Sequence, residues 1–269
     1  MSETQATASG WPIKTESVGM DAPWGWLAAG WRDLWNHPAI SLVYGAVIAA
    51  ASVIIVFGLM RLEVASLMLV LLGGFLLMGP LLAVGLYEKS RRLEAGEPLN
   101  VKDIALVATR SPIGLAFMGA LLLVIYMFWF RLAYLLFALF FGHQGVPTLS
   151  EFVPTLLFTT HGLGLLIVGT AVGAILAGFV FAITAVSVPM MMARPVDTFT
   201  AIVTSMKACA QNPRPMLLWA VLIAGITVLG IGTLFIGLIV TFPLLGHATW
   251  HAYREVVEGQ KPPSLSGNP

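Results

Sequence analysis

The chain has 269 residues, of which 58% are apolar and 10% charged, against about 45–50% and about 25% in soluble domains. Fourteen Lys and Arg face 13 Asp and Glu, a net charge of +1, which excludes both a disordered polyelectrolyte and a nucleic-acid binder with a basic field. A single cysteine, Cys209, excludes an internal disulfide, an iron-sulfur centre and a cysteine-based zinc site. The class that remains is an all-α polytopic membrane bundle.

In chain order, residues 1–20 are polar and lack a basic stretch leading into an apolar core. They read as a disordered tail without a cleavable signal peptide. Trp24, Leu27, Ala28, Trp31, Leu34 and Trp35 then recur at helical spacing, with Asp21 placed to cap the start and Pro38 marking the exit. This predicts a short amphipathic helix lying in the membrane interface, where indole rings such as those of Trp24, Trp26, Trp31 and Trp35 prefer the headgroup level.

Uncharged stretches long enough to cross a bilayer core of about 30 Å follow. They are Ala39 to Met60, Val64 to Tyr87, Ile113 to Phe130 with an apolar extension to Phe141, Gly162 to Ala193, and Pro215 to Trp250. As one helix the last would be about 54 Å long. Its glycine-containing middle, Leu229 to Thr233, predicts a turn that splits it, giving six spans. With both termini cytoplasmic, every Lys and Arg except Arg61 and Arg131 falls on the cytoplasmic side, as the positive-inside rule requires.

The pattern is threefold. A second amphipathic segment, Val101, Ile104, Ala105 and Ala108, starts at Asn100 and closes on Pro112. A third, Phe199, Ile202, Val203, Met206 and Ala210, starts at Asp197 and closes on Pro213 and Pro215. Each even-numbered span carries a proline in its later half, Pro80, Pro189 and Pro243. An offset of 163 residues aligns Pro80, Tyr87, Arg91 and Gly96 with Pro243, Trp250, Arg254 and Gly259. The expected organisation is three parallel hairpin repeats, each preceded by an interfacial helix: 21–98, 99–196 with an external loop at 142–161, and 197–260, between a tail at 1–20 and another at 261–269.

Candidate functional residues are few. No Asp or Glu falls within a predicted span, which leaves a proton or cation path built on buried carboxylates unsupported. Arg131 sits near the far end of the third span, where it can snorkel or meet an anion. His247 and His251, four apart, share a helix face and are the candidate metal ligands, though no third ligand is evident; hydrogen-bonded interfacial histidines are the competing reading. Gly169, Gly173 and Ala177 predict a flat packing face, Met190, Met191 and Met192 flexible packing, and the 88–103 segment, with Arg91 and Arg92 balanced by Glu88, Glu94, Glu97 and Asp103, a solvated loop. Pro80, Pro189 and Pro243 are candidate hinges.

Gly79 to Glu88, Thr184 to Pro189 and Gly246 to Arg254 resemble the corresponding stretches of an uncharacterised bacterial integral membrane family, domain of unknown function 2189, over about Trp26 to Tyr253. The resemblance implies an inner-membrane location and supplies no catalytic residue. Some members carry the label of a putative cytochrome c oxidase subunit I, but the intramembrane histidines that label implies are missing here. No cofactor is therefore expected. The expectation is a non-enzymatic scaffold or assembly protein with the lipid bilayer and a membrane protein as partners and no nucleic acid. The alternatives are a small-solute transporter lined by Tyr44, Ser52, Thr170, Thr184, Ser187 and Thr227, and a haem or metal protein using His247 and His251.

Overall fold

The computed structural model describes residues 13–61, 77–105, 107–142 and 149–262. Among them the chain is helical without strands: α1 (Ala22–Trp35), α2 (Pro38–Arg61), α3 (Val84–Ala95), α4 (Val101–Ala105), α5 (Pro112–Phe141), α6 (Leu149–Phe158), α7 (Thr160–Thr184), α8 (Ser187–Ala193), α9 (Thr198–Gln211), α10 (Pro213–Gly232) and α11 (Leu238–Glu258).

Four helical stretches are long and apolar enough to cross a membrane: Pro38–Arg61, Pro112–Phe141, Thr160–Ala193 and Pro213–Gly232. Most of the expected second span lies outside the described residues. Its visible end is helical at 77–82, interrupted at Ala83, and resumes as α3, which runs on to Ala95, beyond the expected end at Tyr87. The expected sixth span falls in α11, whose uncharged part, Leu238 to Trp250, rises only about 20 Å. The turn before it lies at residues 233–237, a few positions later than the sequence suggests. Gly230 and Gly237 set it there. A Cβ on Gly237 would stand 3.0 Å from the Gly230 Cα, and one on Gly230 would stand 2.8 Å from the Leu238 side chain, so only a pair of glycines lets the two helices meet so closely.

The predicted external loop is partly helical. α6 occupies Leu149–Phe158, and His161, placed in the loop from sequence, is an exposed residue in the first turn of α7. His143 lies outside the described residues.

The spans expose most of their surface, as lipid-facing helices do, and the tight packing gathers where α2, α5 and α10 begin. There α11 is the hub. Its later half buries His247, Ala248, Trp250, His251, Ala252, Tyr253, Glu255 and Val256 against α1, α2, α3 and α8. Glycines make the approach possible: a Cβ on Gly30 of α1 would lie 2.7 Å from the Ala248 nitrogen and 2.9 Å from the Leu244 oxygen, and one on Gly45 of α2 would lie 2.8 Å from the Ile239 Cα. Residues 13–18 strap this end down. The Glu16 amide donates to the Val256 carbonyl at 2.8 Å, while the Asn212 side chain accepts from the Val18 amide at 2.8 Å and donates to the Glu16 carbonyl at 2.9 Å.

The amphipathic helices leave several of their large apolar side chains exposed. In α1 the buried residues are Ala22, Trp26, Ala29, Gly30 and Leu34, whereas Trp24, Trp31 and Trp35 are 56%, 47% and 49% exposed. Trp26 thus leaves the expected interfacial set for the core, where its ring meets Trp219 edge to face at 5.6 Å, and Leu34 leaves the expected outward face. In α9 the buried face is small and polar, Ala201, Thr204, Ser205 and Ala208, and Phe199 and Met206 point outward. Asp197 caps α9 through the Thr200 amide at 2.9 Å. Asp21 precedes α1 without a side-chain cap, its carbonyl taking the first helical bonds instead.

Candidate functional site

The polar residues of the packed end converge on one buried cluster drawn from α1, α2, α3 and α11. Lys89 sits in α3, fully buried. Its ammonium donates to the Asp33 carbonyl at 2.9 Å, the His37 carbonyl at 3.3 Å and the Ser41 hydroxyl at 2.6 Å, which uses all three of its protons. The two carbonyls belong to the C-terminal end of α1 and the link to α2, where a cation meets both unsatisfied acceptors and the negative end of the helix dipole. His37 itself takes a left-handed conformation, φ 57°, so Lys89 pins the sharp turn that swings the chain from α1 into its first span.

The Ser41 hydroxyl lies 2.9 Å from His247 Nε2, and the Ser90 hydroxyl 2.8 Å from His247 Nδ1. The Asp33 carboxylate in turn accepts from Ser90 and lies 2.9 Å from His251 Nε2. Glu94 Oε1 stands 3.3 Å from His251 Nδ1, and Glu94 Oε2 stands 3.1 Å from the Arg254 guanidinium. One set of proton positions satisfies the whole chain. Lys89 donates to Ser41, Ser41 to Nε2 of a neutral His247, Nδ1–H of His247 to Ser90, and Ser90 to Asp33, while His251 donates from both nitrogens as an imidazolium.

Electrostatics agree with that assignment outside the spans. Burial favours a neutral His251 ring, but the hydrogen bonds and charges of Asp33 and Glu94 outweigh it and push the group up to about 9. Burial raises the Asp33 carboxyl, and the bonds from His251 and Ser90 override this to hold it below its ordinary range. Burial lowers Lys89 to about 8, against the pull of Asp33.

His247 and His251 do share a face, as their spacing suggests, yet each ring nitrogen already has an intramolecular partner. Among the described residues no group of three or more His, Cys, Asp or Glu is placed to hold a metal ion. Sequence reasoning missed Asp33, Ser41, Lys89 and Ser90, and took the 88–103 segment for a solvated loop. In fact Glu88, Lys89 and Ser90 are buried in α3, and Glu88 is gripped by Arg91 at 2.8 Å and Arg92 at 2.6 Å. The available signal was a lysine and a serine just where the second span ends.

The other singled-out residues lie apart from this cluster. Arg131 is exposed two thirds of the way along α5, without an ion-pair partner among the described residues. Pro80 precedes the interruption at Ala83 and Pro189 follows the one at residues 185–186, whereas Pro243 sits inside an unbroken α11. The hydroxyls offered as a transport lining turn back on backbone: Ser52 to Ile48, Thr184 to Val180 and Ser187 to Ile183. Tyr44 donates at 2.7 Å to the Leu82 carbonyl, freed by the interruption at Ala83. Thr170 is exposed and Thr227 buried on different helices. Of the small-residue stripe only Gly173 comes close to another helix, where a Cβ would lie 3.2 Å from the Trp129 ring, while Ala177 is exposed. Met190, Met191 and Met192 are buried core residues.

Residues 67–193 match the family described as a predicted integral membrane protein, DUF2189. The DUF2189 match takes in α3 with Lys89, Ser90 and Glu94 and ends at the last residue of α8. It omits α1 and α11, which supply Asp33, His247 and His251, so the cluster joins the matched stretch to segments on either side of it. No curated protein and no solved structure matches the chain.

Proposed function

We propose that this is a non-enzymatic inner-membrane scaffold of six spans, arranged as three parallel hairpin repeats with both termini cytoplasmic, which presents a rigid, tightly packed end at the membrane surface for a membrane-protein or lipid partner. The observation that carries the reading is the closure of the buried polar cluster. Every Lys89 donor and every ring nitrogen of His247 and His251 is taken up within the chain, so these three side chains hold helices together and are not turned toward a substrate.

Two further features support it. The outward aromatic face of α1 and the outward Phe199 and Met206 of α9 suit helices lying in the headgroup layer, each tied to its span by one or two residues. The offset of 163 residues also has a structural counterpart. Gly96 and Gly259 end α3 and α11 in the same left-handed conformation, φ 65° and 68°, and Arg91 reaches Glu97 as Arg254 reaches Gln260. Duplication of a hairpin explains such equivalence. Mild detergent extraction followed by crosslinking is expected to recover a stoichiometric membrane partner. Turnover of a substrate by the purified protein, or a continuous solvent-accessible path in cysteine scanning on a Cys209→Ser background, would overturn the reading.

A further inference from the structure

The contacts within the cluster are not equivalent: one member is a base flanked by two acids on two other helices. His251 of α11 stands between Asp33 of α1, at 2.9 Å, and Glu94 of α3, at 3.3 Å. Carboxylates only accept, so the ring must carry both protons to satisfy both. The neutral ring has one N–H and would turn a lone pair toward one of the two carboxylates. We propose that Asp33, His251 and Glu94 form a proton-binding site that latches α1 and α3 to α11, closed when His251 is doubly protonated and released when it loses a proton.

The surroundings make the loss selective. From α1, Asp33 keeps its bond from Ser90 whichever state His251 adopts. From α3, Glu94 keeps Arg254 at 3.1 Å, and Lys89 is committed to the α1 carbonyls and Ser41. α2 contributes the Ser41 hydroxyl to this region, and the link before it the His37 carbonyl. On α11 itself, Glu255 is bound to the Trp26 indole at 2.7 Å, and Glu258 is paired with Arg194, which follows α8. None of these groups can replace the proton that His251 gives up. The longer Glu94 contact is the one that parts first, which loosens α3 on the hub, where the Glu94–Arg254 pair and the Ser90–His247 bond remain, while α1 stays attached through Asp33. Since α1 and α3 both pack on α11, a proton leaving this site changes how they seat on the hub, an alkaline response built into the fold. It is independent of the scaffold reading, because the latch requires only the three side chains.

The test is hydrogen–deuterium exchange of the full-length protein in nanodiscs, followed over pH 6.5 to 10 and corrected for intrinsic rates, with NMR titration of labelled histidine alongside. Peptides covering 84–95 are expected to lose protection with a midpoint near the alkaline titration of His251. Glu94→Gln should move that midpoint down by about one pH unit, since it removes one of two neighbouring negative charges. His251→Gln should leave 84–95 less protected at pH 7 and without the transition, while α5 and α7 exchange as in the wild type. Flat protection across the range, an unmoved midpoint in Glu94→Gln, or a transition in His251→Gln with the wild type's midpoint and amplitude would each overturn the latch; a residual step near pH 8 belongs to Lys89. If His251→Gln fails to fold, the Glu94→Gln shift and the histidine titration decide the matter alone.

Discussion

Lys89→Met is the most direct probe of what holds α1 to its span. The replacement keeps an unbranched chain of similar volume in a site with no exposure, and deletes three hydrogen bonds at 2.6, 2.9 and 3.3 Å. Two part-buried carbonyls, of Asp33 and His37, then lose their donor, as does the buried Ser41 hydroxyl. Leaving a buried acceptor without its donor costs about 1–3 kcal/mol, and three acceptors are affected here. Part of that is returned because the ammonium no longer has to be dehydrated, so about 3 kcal/mol is the expected loss. Cys209 provides the assay. It is the single thiol in the chain and half-buried in α9, and burial pushes its ionisation up to about 11. A thiol-reactive fluorogenic dye is therefore slow to label the folded protein and fast to label the unfolded one. Heating in detergent should show Lys89→Met labelling several degrees before the wild type, and Ser41→Ala should add little on top of it because the two residues act through one contact. A Lys89→Met protein as stable as the wild type, or strictly additive losses, would mean that the lysine merely fills space.

Gly30→Leu and Gly45→Leu should each prevent α11 from seating, since even a Cβ at these positions meets backbone within 3.0 Å; the expected result is loss of the cooperative dye transition, whereas Gly25→Leu, with open space around its Cβ position, should behave as the wild type. Stability should also fall as pH rises from 6.5 to 8. His251, raised from 6.5 to about 9, contributes fully below its unfolded value and loses its contribution through the folded one, by about 1–2 kcal/mol over this window. Lys89, lowered to about 8, acts in the opposite sense only above that pH, so the window isolates His251, and His251→Gln should flatten it. Replacing Trp24, Trp31 and Trp35 together by Phe should remove most of the fluorescence quenched by lipids brominated near the headgroup, because Trp26, Trp219 and Trp250 are buried; undiminished quenching would place α1 away from the bilayer.

The spans were legible because hydropathy over twenty residues needs no partner to be read: α2 and the beginnings of α5, α7 and α10 fall within a few positions of their expected places. The faces of α1 and α9 were harder. Helical spacing locates an apolar stripe but not what covers it, and here Trp24, Trp31, Trp35, Phe199 and Met206 stay exposed while Trp26, Leu34 and the small residues of both helices are buried. The buried cluster was almost invisible. Its members lie at positions 33, 41, 89, 90, 94, 247 and 251, and only the His247–His251 spacing is local enough to notice. Lys89 and Glu94 read as ordinary loop charges because their burial depends on α1 and α11, which are distant in sequence.

The hub position of α11 has a consequence for how the protein is made. Ser41 and Ser90 find His247 only across 206 and 157 residues of chain. At roughly 5–20 residues per second of synthesis, roughly ten to thirty seconds pass between the emergence of α3 and that of its partner. Through that interval Ser41 and Ser90 have no histidine to receive them, and the glycine faces of α1 and α2 are open. The half-made protein is thus a different object from the finished one, with an unmet polar groove where the finished one has its most tightly packed region.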